Sequence, residues 1–216
     1  MHIEPTIHHL DHPVEGGWIE VVCGSMFSGK TEELIRRLTR AKIARQCVQI
    51  FKPAIDTRYD DQKVVSHNQN EIDSIAVKKS TDILEILKEM DCQVIGIDEA
   101  QFFDKELVNV CQTLANQGKR IVIAGLDMDF AGKPFGIMPH LLAISEYVTK
   151  VHAICMCCGK VAAYSFRLTP SKQKILLGEK TEYEARCRKC FVKGNLSQEK
   201  DKEAKNNEKA LKNETS

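Results

Sequence analysis

The sequence predicts an α/β fold, a mostly parallel sheet covered by helices, followed by a small C-terminal lobe organised by cysteines. Three observations predict it. Apolar runs alternate with helical patterns from Trp18 to Ile154, a glycine-rich turn joins the first run to the first helix, and two cysteine pairs bracket a stretch with no helical period.

The elements follow in order. Trp18 to Cys23 reads as a buried strand, and Glu32 to Arg45 as a helix with Leu34, Leu38 and Ala41 on one face. Val48 to Phe51 is a second strand, closed by Pro53. Thr81 to Met90 is helical, because Ile83, Leu84, Leu87 and Met90 share a side. Val94 to Ile97 is a strand, Lys105 to Asn116 a helix capped by Asp104, and Ile121 to Ala124 a further strand. Leu141 to Tyr147 is expected to be helical before a last strand around Val148 to Ile154. Ligands of such folds sit at the carboxyl ends of the strands.

Composition bounds the function. The chain has 216 residues, enough for one ordinary domain and a small appendage. A formal net charge of +1 supplies no global field towards nucleic acid or membrane. No window approaches about 18 uninterrupted apolar residues, so no membrane span is expected. The first sixteen residues hold acids and His2, His8, His9 and His12, without a basic region leading into an apolar one. They read as a flexible tail and not as a secretory signal, which makes the chain cytoplasmic. From Lys193 onward Lys, Glu, Asn and Gln dominate, and residues 194–216 are expected to form a disordered polar tail.

Gly24, Ser25, Met26, Phe27, Ser28, Gly29, Lys30 and Thr31 fit the phosphate-loop pattern, placed between a strand and an amphipathic helix. The glycines let successive N–H groups face phosphate oxygens, and the helix adds the positive end of its dipole. Lys30 would reach the β- and γ-phosphates of ATP, and the Thr31 hydroxyl would ligate Mg²⁺. The strand Val94 to Ile97 ends in Asp98, Glu99, Ala100 and Gln101, the second half of such a cofactor site. Asp98 is placed to hold Mg²⁺ through water, and Glu99 to take a proton from an attacking hydroxyl or water.

Nine cysteines are too many to ignore, and their odd number fits poorly with a fully paired disulfide framework. Cys155 with Cys158, and Cys187 with Cys190, form two C-x-x-C knuckles about thirty residues apart. Two knuckles complete a tetrahedral Zn²⁺ site, and four protein ligands leave it structural and not catalytic. Cys157 is misplaced for the gap. The chain therefore divides into a tail (1–16), an ATP-binding domain (17–150), a zinc-binding lobe (151–193) and a second tail (194–216).

These features, in this order, resemble the type II thymidine kinase family across Gly17 to Lys193. Gly24 to Lys30 and Asp98 to Phe103 are close to the family's own loop and acid segment. Lys52 to Tyr59, Leu126 to Phe130 and Lys133 to Gly136 match further family loops. The resemblance implies a RecA-like sheet with a lasso loop between the cysteine pairs. It implies transfer of the γ-phosphoryl group of ATP to the 5′-hydroxyl of thymidine, with Glu99 as general base, Arg58 neutralising the moving phosphoryl group and Asp56 helping to organise magnesium. Met26, Phe102, Phe130 and Phe135 would wall the thymine pocket, and Tyr183 would be the lasso's main side-chain contact. A homotetramer inhibited by thymidine triphosphate is implied as well. Where members carry an acid two residues before that tyrosine, this sequence has Thr181, beside Glu182.

The aromatic loops agree with a planar ligand, since Phe102, Phe103, Phe130 and Phe135 all follow predicted strands. The competing reading is a nucleic-acid-stimulated phosphate-loop ATPase, because Asp98 to Gln101 resembles a helicase box. Such motors need a second similar domain, for which this chain has no room, and excess positive charge, which it lacks.

Overall fold

Ile19, Val21 and Cys23 alternate with Glu20 and Val22 along the first strand, β1 (Trp18–Gly24). The structure, a computed structural model, describes residues 16–54, 63–65, 71–169 and 182–200. From β1 the chain turns into helix α1 (Lys30–Ile43) and returns as β2 (Val48–Pro53). A short antiparallel pair, β3 (Lys63–Val65) with β4 (Glu71–Asp73), precedes β5 (Ile75–Val77), α2 (Asp82–Lys88) and β6 (Val94–Ile97). A 3-10 turn at Ala100–Phe102 and α3 (Leu107–Asn116) lead to β7 (Arg120–Leu126), α4 (Met138–Ile144) and β8 (Tyr147–Lys150). The C-terminal lobe holds β9 (Ala153–Ile154), β10 (Val161–Ala162), β11 (Tyr164–Arg167), β12 (Tyr183–Arg186) and a helix, α5, over residues 188–200.

Six strands form one sheet in the order β5-β2-β6-β7-β1-β8, and every pairing in it is parallel. Strand alternation sends the apolar side chains to two faces. On one, Ile50, Val94, Val122 and Ala124 pack against Leu34, Ile35, Leu38 and Ala41 of α1. On the other, Val21, Ile95, Ile97, Ile121 and Ile123 pack against side chains of α2, α3 and α4. Gly96 lets α1 approach closely, since a Cβ there would lie 2.6 Å from the Leu38 side chain.

One charged group is buried among these apolar layers. Glu20, fully buried on β1, accepts hydrogen bonds from Arg37 of α1 (2.8 Å), Arg120 of β7 (2.6 Å) and the Trp18 indole (2.7 Å). Arg37 reaches further, to Glu33 and to Thr149 of β8. The network thereby joins three adjacent strands to the helix that follows the phosphate loop.

The structure differs from the sequence reading in several places, first in strands β3, β4 and β5, which that reading passed over. Helix α4 starts at Met138, not Leu141, with proline in its first turn, and Tyr147 belongs to β8, where it pairs with Glu20. Pro53 does not cut β2 off at Phe51: it is the last residue of that strand and pairs with Val77 of the edge strand β5. The strand expected over Val148 to Ile154 is divided into β8 and β9, and three further short strands, β10 to β12, stand in the lobe where none was expected. Residues 194–200 are helical and not part of a disordered tail, because α5 is anchored by the buried Phe191 and by Gln198, which donates to the Arg167 carbonyl (2.9 Å). Residues 1–15 and 201–216 lie outside the described residues.

Replacing Glu20 by Ala would leave Arg37 and Arg120 buried without the carboxylate they share. Breaking a buried pair in this way costs about 3–5 kcal/mol, a large share of a typical folding free energy. Urea denaturation should show that loss as a lower midpoint with an unchanged slope.

Candidate active site

Because all six strands run the same way, the loops leaving β1, β6 and β7 meet at one edge of the sheet. Strand β7 separates β1, which carries the phosphate loop, from β6, which carries the acid pair. The loop turns on Gly24 and Gly29, whose φ values of 153° and 85° favour residues without a side chain. A Cβ on Gly24 would also lie 2.3 Å from the Val151 carbonyl oxygen. Phe27 takes a left-handed φ of 62° despite its side chain.

Within the loop, Lys30 Nζ donates to the Ser25 carbonyl (2.9 Å), as does the Ser28 hydroxyl (2.7 Å). Burial holds the Lys30 ammonium below the ordinary lysine pKa, opposed by the carboxylates of Glu99, Asp98 and Asp127. An added anion would relieve that desolvation. Thr31 Oγ1 lies 3.4 Å from Asp98 Oδ2, so the hydroxyl and carboxylate expected to share Mg²⁺ meet across two strand ends. Both are hard oxygen donors of the kind that cation takes. The Ser25 hydroxyl and Asp127 Oδ1 are buried without a partner among the described residues, as polar groups facing an incoming ligand would be.

Glu99 sits in the left-handed region (φ 51°, ψ 40°), a strained conformation for a residue with a Cβ. Its carboxylate accepts a hydrogen bond from the Gln101 amide. Ala100, read from sequence as part of the nucleotide site, is fully buried in the core. Asp104 accepts from the Glu106 and Ser80 N–H groups (3.0 Å each), which tie the start of α3 to the segment before α2.

The aromatic residues separate into two roles. Phe102 and Phe135 meet edge to face at 5.6 Å, while Phe103 packs on the apolar core. Phe130 and Tyr183 are joined by a residue the sequence reading passed over. Arg167, 4% exposed, stacks its guanidinium 3.6 Å from the Phe130 ring centre and donates to the Tyr183 hydroxyl (2.7 and 3.1 Å). Arg167 and Tyr183 are register partners on β11 and β12, a pairing that only the fold reveals. Asp56, Arg58, Thr181 and the lasso stretch at 170–181 lie outside the described residues.

The four knuckle cysteines converge, their sulfur atoms all within 4.8 Å of one another. Cys158 and Cys187 are 3.7 Å apart, close to the edge of about 3.8 Å that a tetrahedron with Zn–S bonds near 2.3 Å requires. Against the effect of burial, backbone N–H groups of Cys187, Cys157 and Cys158 pull the Cys155 thiol down to about 6. That favours the thiolate a metal binds. The cluster also adjoins the phosphate loop. Phe27 packs with Ala153, Cys155, Ala162 and Ala185 in the lobe's small core, and the Met26 N–H donates to Ser165 Oγ (3.0 Å). Cys157 stays out of the cluster, 3.8 Å from a Glu184 oxygen.

Loop, acid pair and parallel sheet together define a phosphate-loop nucleotide-binding α/β protein, an enzyme of the kinase type. The chain belongs to the thymidine kinase family, whose sequence pattern matches residues 17–191. It is 57% identical to a thymidine kinase of Bacteroides thetaiotaomicron over 185 residues, covering 86% of this chain and 92% of that one. A Porphyromonas gingivalis thymidine kinase is 58% identical over 193 residues, covering 89% and 93%. One from a Rhodothermus species is 55% identical over 191 residues, covering 88% of each. No helix among the described residues is long and apolar enough to cross a membrane.

The Arg167–Tyr183 contact should be measurable as a coupling. Arg167→Met and Tyr183→Phe each remove one side of a buried hydrogen bond, at a cost of about 1–3 kcal/mol. In a double-mutant cycle on urea stability the two losses should fall short of additive by at least about 0.5 kcal/mol.

Proposed function

We propose that the chain transfers the γ-phosphoryl group of ATP to the 5′-hydroxyl of thymidine, giving thymidine monophosphate and ADP for DNA precursor salvage. The observation that carries this reading is the meeting of Thr31 with Asp98, with Glu99 next in the chain. The N–H groups of residues 24–31 and the start of α1 take the triphosphate. Lys30 leaves the Ser25 carbonyl for the β- and γ-oxygens. Thr31 and Asp98, with Asp56, are the donors for Mg²⁺, which when bound neutralises charge on those oxygens. Glu99 takes the proton of the 5′-hydroxyl as that oxygen bonds to the γ-phosphorus and the bond to the β-phosphate oxygen breaks. Arg58 offsets the charge of the transferring group.

Met26, Phe102, Phe130, Phe135 and Tyr183 enclose the thymine, and the stretch between the cysteine pairs closes over it and excludes water. The four-thiolate cluster holds a structural zinc. The division into an ATP-binding domain (17–150) and a zinc lobe from 151, extended past 193 to 200 by α5, follows from these roles. A cytoplasmic homotetramer inhibited by thymidine triphosphate is the corresponding assembly. Exposed apolar side chains support self-association: Tyr147 and Val148 on the outer strand β8, Ile154 opposite Val161, and Met156.

The decisive assay is ADP release with Mg·ATP in the presence of thymidine, deoxyuridine, deoxycytidine or no acceptor. Release should require thymidine, and the monophosphate should be the product. Release without any nucleoside, or stimulated by single-stranded DNA, would replace this reading with that of a nucleic-acid-dependent ATPase. Glu99→Gln should keep ATP affinity and lose roughly 10²- to 10⁴-fold in kcat. Removing the metal should raise both KM values, that for thymidine more. Because Phe27 shares the lobe's core, ATP binding should not escape entirely.

A further inference from the structure

We propose that Gln101 is a positioning residue, which holds the Glu99 carboxylate by one oxygen so that the proton is taken at the other. This deepens the reading of Glu99 as the base and rests on it. Gln101 is 3% exposed, in the 3-10 turn directly after the acid pair. Its Oε1 accepts the N–H of Leu126, the last residue of β7, at 2.9 Å. A backbone N–H can only donate, so this bond fixes which end of the amide is oxygen. The amide nitrogen is therefore turned to Glu99 and donates to its Oε2.

Two glycines make room for this clasp. A Cβ on Gly125 would lie 3.0 Å from Gln101 Oε1, and one on Gly136 would lie 2.2 Å from the Gln101 carbonyl oxygen. The turn is thus pressed between β7 and the loop before α4, and its amide has no freedom to rotate away. Glu99, in its left-handed conformation, is held from the same side. A glutamine that only filled the core would have no need to satisfy a carboxylate at the mouth of the phosphate loop. Gln101 instead carries the rigidity of a strand end to the group proposed to take the proton.

Gln101→Glu tests this with the full-length protein. The substitution keeps the shape and the acceptor for Leu126, and replaces only the N–H₂ that faces Glu99. Lys30 feels that carboxylate together with those of Asp98, Asp127 and Glu32, and Asp98 also accepts the Glu99 N–H. At about pH 8 the two carboxylates repel, and kcat should fall about 10- to 100-fold. Towards about pH 6 the added carboxyl, sharing a proton with Glu99, regains a donor, and the deficit relative to wild type should shrink. Both KM values should stay within about threefold of wild type, since the change acts on the reacting geometry and not on binding.

Gln101→Met removes the donor without adding charge, and its deficit should not vary with pH. In a Glu99→Gln background, Gln101→Glu should cost nothing more. Unchanged kcat in Gln101→Glu beside an inactive Glu99→Gln would overturn the positioning role alone. A deficit that ignores pH, with both KM values raised, would show a structural role and overturn it too. Wild-type kcat in Glu99→Gln would remove the base itself, and the inference with it.

Discussion

The site depends on a single constraint, the common direction of six strands. A parallel pair cannot be closed by a tight turn, so each crossover has to leave the sheet and return at its other end. All carboxyl ends therefore fall on one edge. The phosphate loop after β1, the acid pair after β6 and the aromatic loop after β7 are neighbours there, although Thr31 and Asp98 of the first two stand 67 positions apart in the chain. With β7 between them, Asp98 and Thr31 approach at the tips of strands that do not touch. Gln101 and Leu126 use the intervening strand to brace that approach.

The cysteine lobe is not an independent appendage in energetic terms. Its own apolar core is small, too small to order four short strands unaided, which is where a four-thiolate metal site is most useful. That core is completed by Phe27, a residue of the phosphate loop, and Ser165 satisfies a loop N–H. Order in the lobe therefore reaches the loop directly. A second route runs through Arg167, which ties β11 to Phe130 after β7 and to Tyr183 on β12. Tyr164 stacks on Phe191 of α5, Phe166 meets Phe191 edge to face, and Gly132 leaves space for the Tyr164 and Phe191 rings. The helix that composition alone reads as tail is thereby drawn into the structure.

Much of this was legible in the sequence, and the reasons differ from place to place. The phosphate loop, the acid pair and the knuckles are local patterns whose chemistry follows from spacing, so Thr31, Asp98 and the four cysteines could be named before their contacts were seen. Strands β1, β6 and β7 were legible because burial on both faces makes them continuous apolar runs. Strands β10 to β12 were not, being too short for alternation to register. Helix α5 was missed because one phenylalanine anchors it, while Val192 and Leu196 stay exposed among polar residues and mark no buried face. Arg167 was missed as a functional group, and Gln101 was placed in the nucleotide site without its bracing contact, for a different reason. Each acts by joining residues distant in sequence, Arg167 across a β pair and Gln101 across to β7. Nothing in their local sequence marks those contacts.

The two ends of β1 treat buried charge in opposite ways. Both oxygens of the Glu20 carboxylate are engaged, by Arg37, Arg120 and Trp18, and hydrogen bonds of that kind rigidify the layer in which they sit. About 13 Å further along the strand, Lys30 is desolvated, and Ser25 Oγ and Asp127 Oδ1 have no partner among the described residues. An arrangement like the second is unfavourable in isolation and is tolerated when its neighbourhood is stiff. Helix α1 links the two, carrying Arg37 near its middle and Lys30 at its first position. Fixing α1 at Arg37 holds Lys30 and Thr31 where a triphosphate must meet them. The buried ion network thereby supports the unsatisfied groups that the chemistry requires.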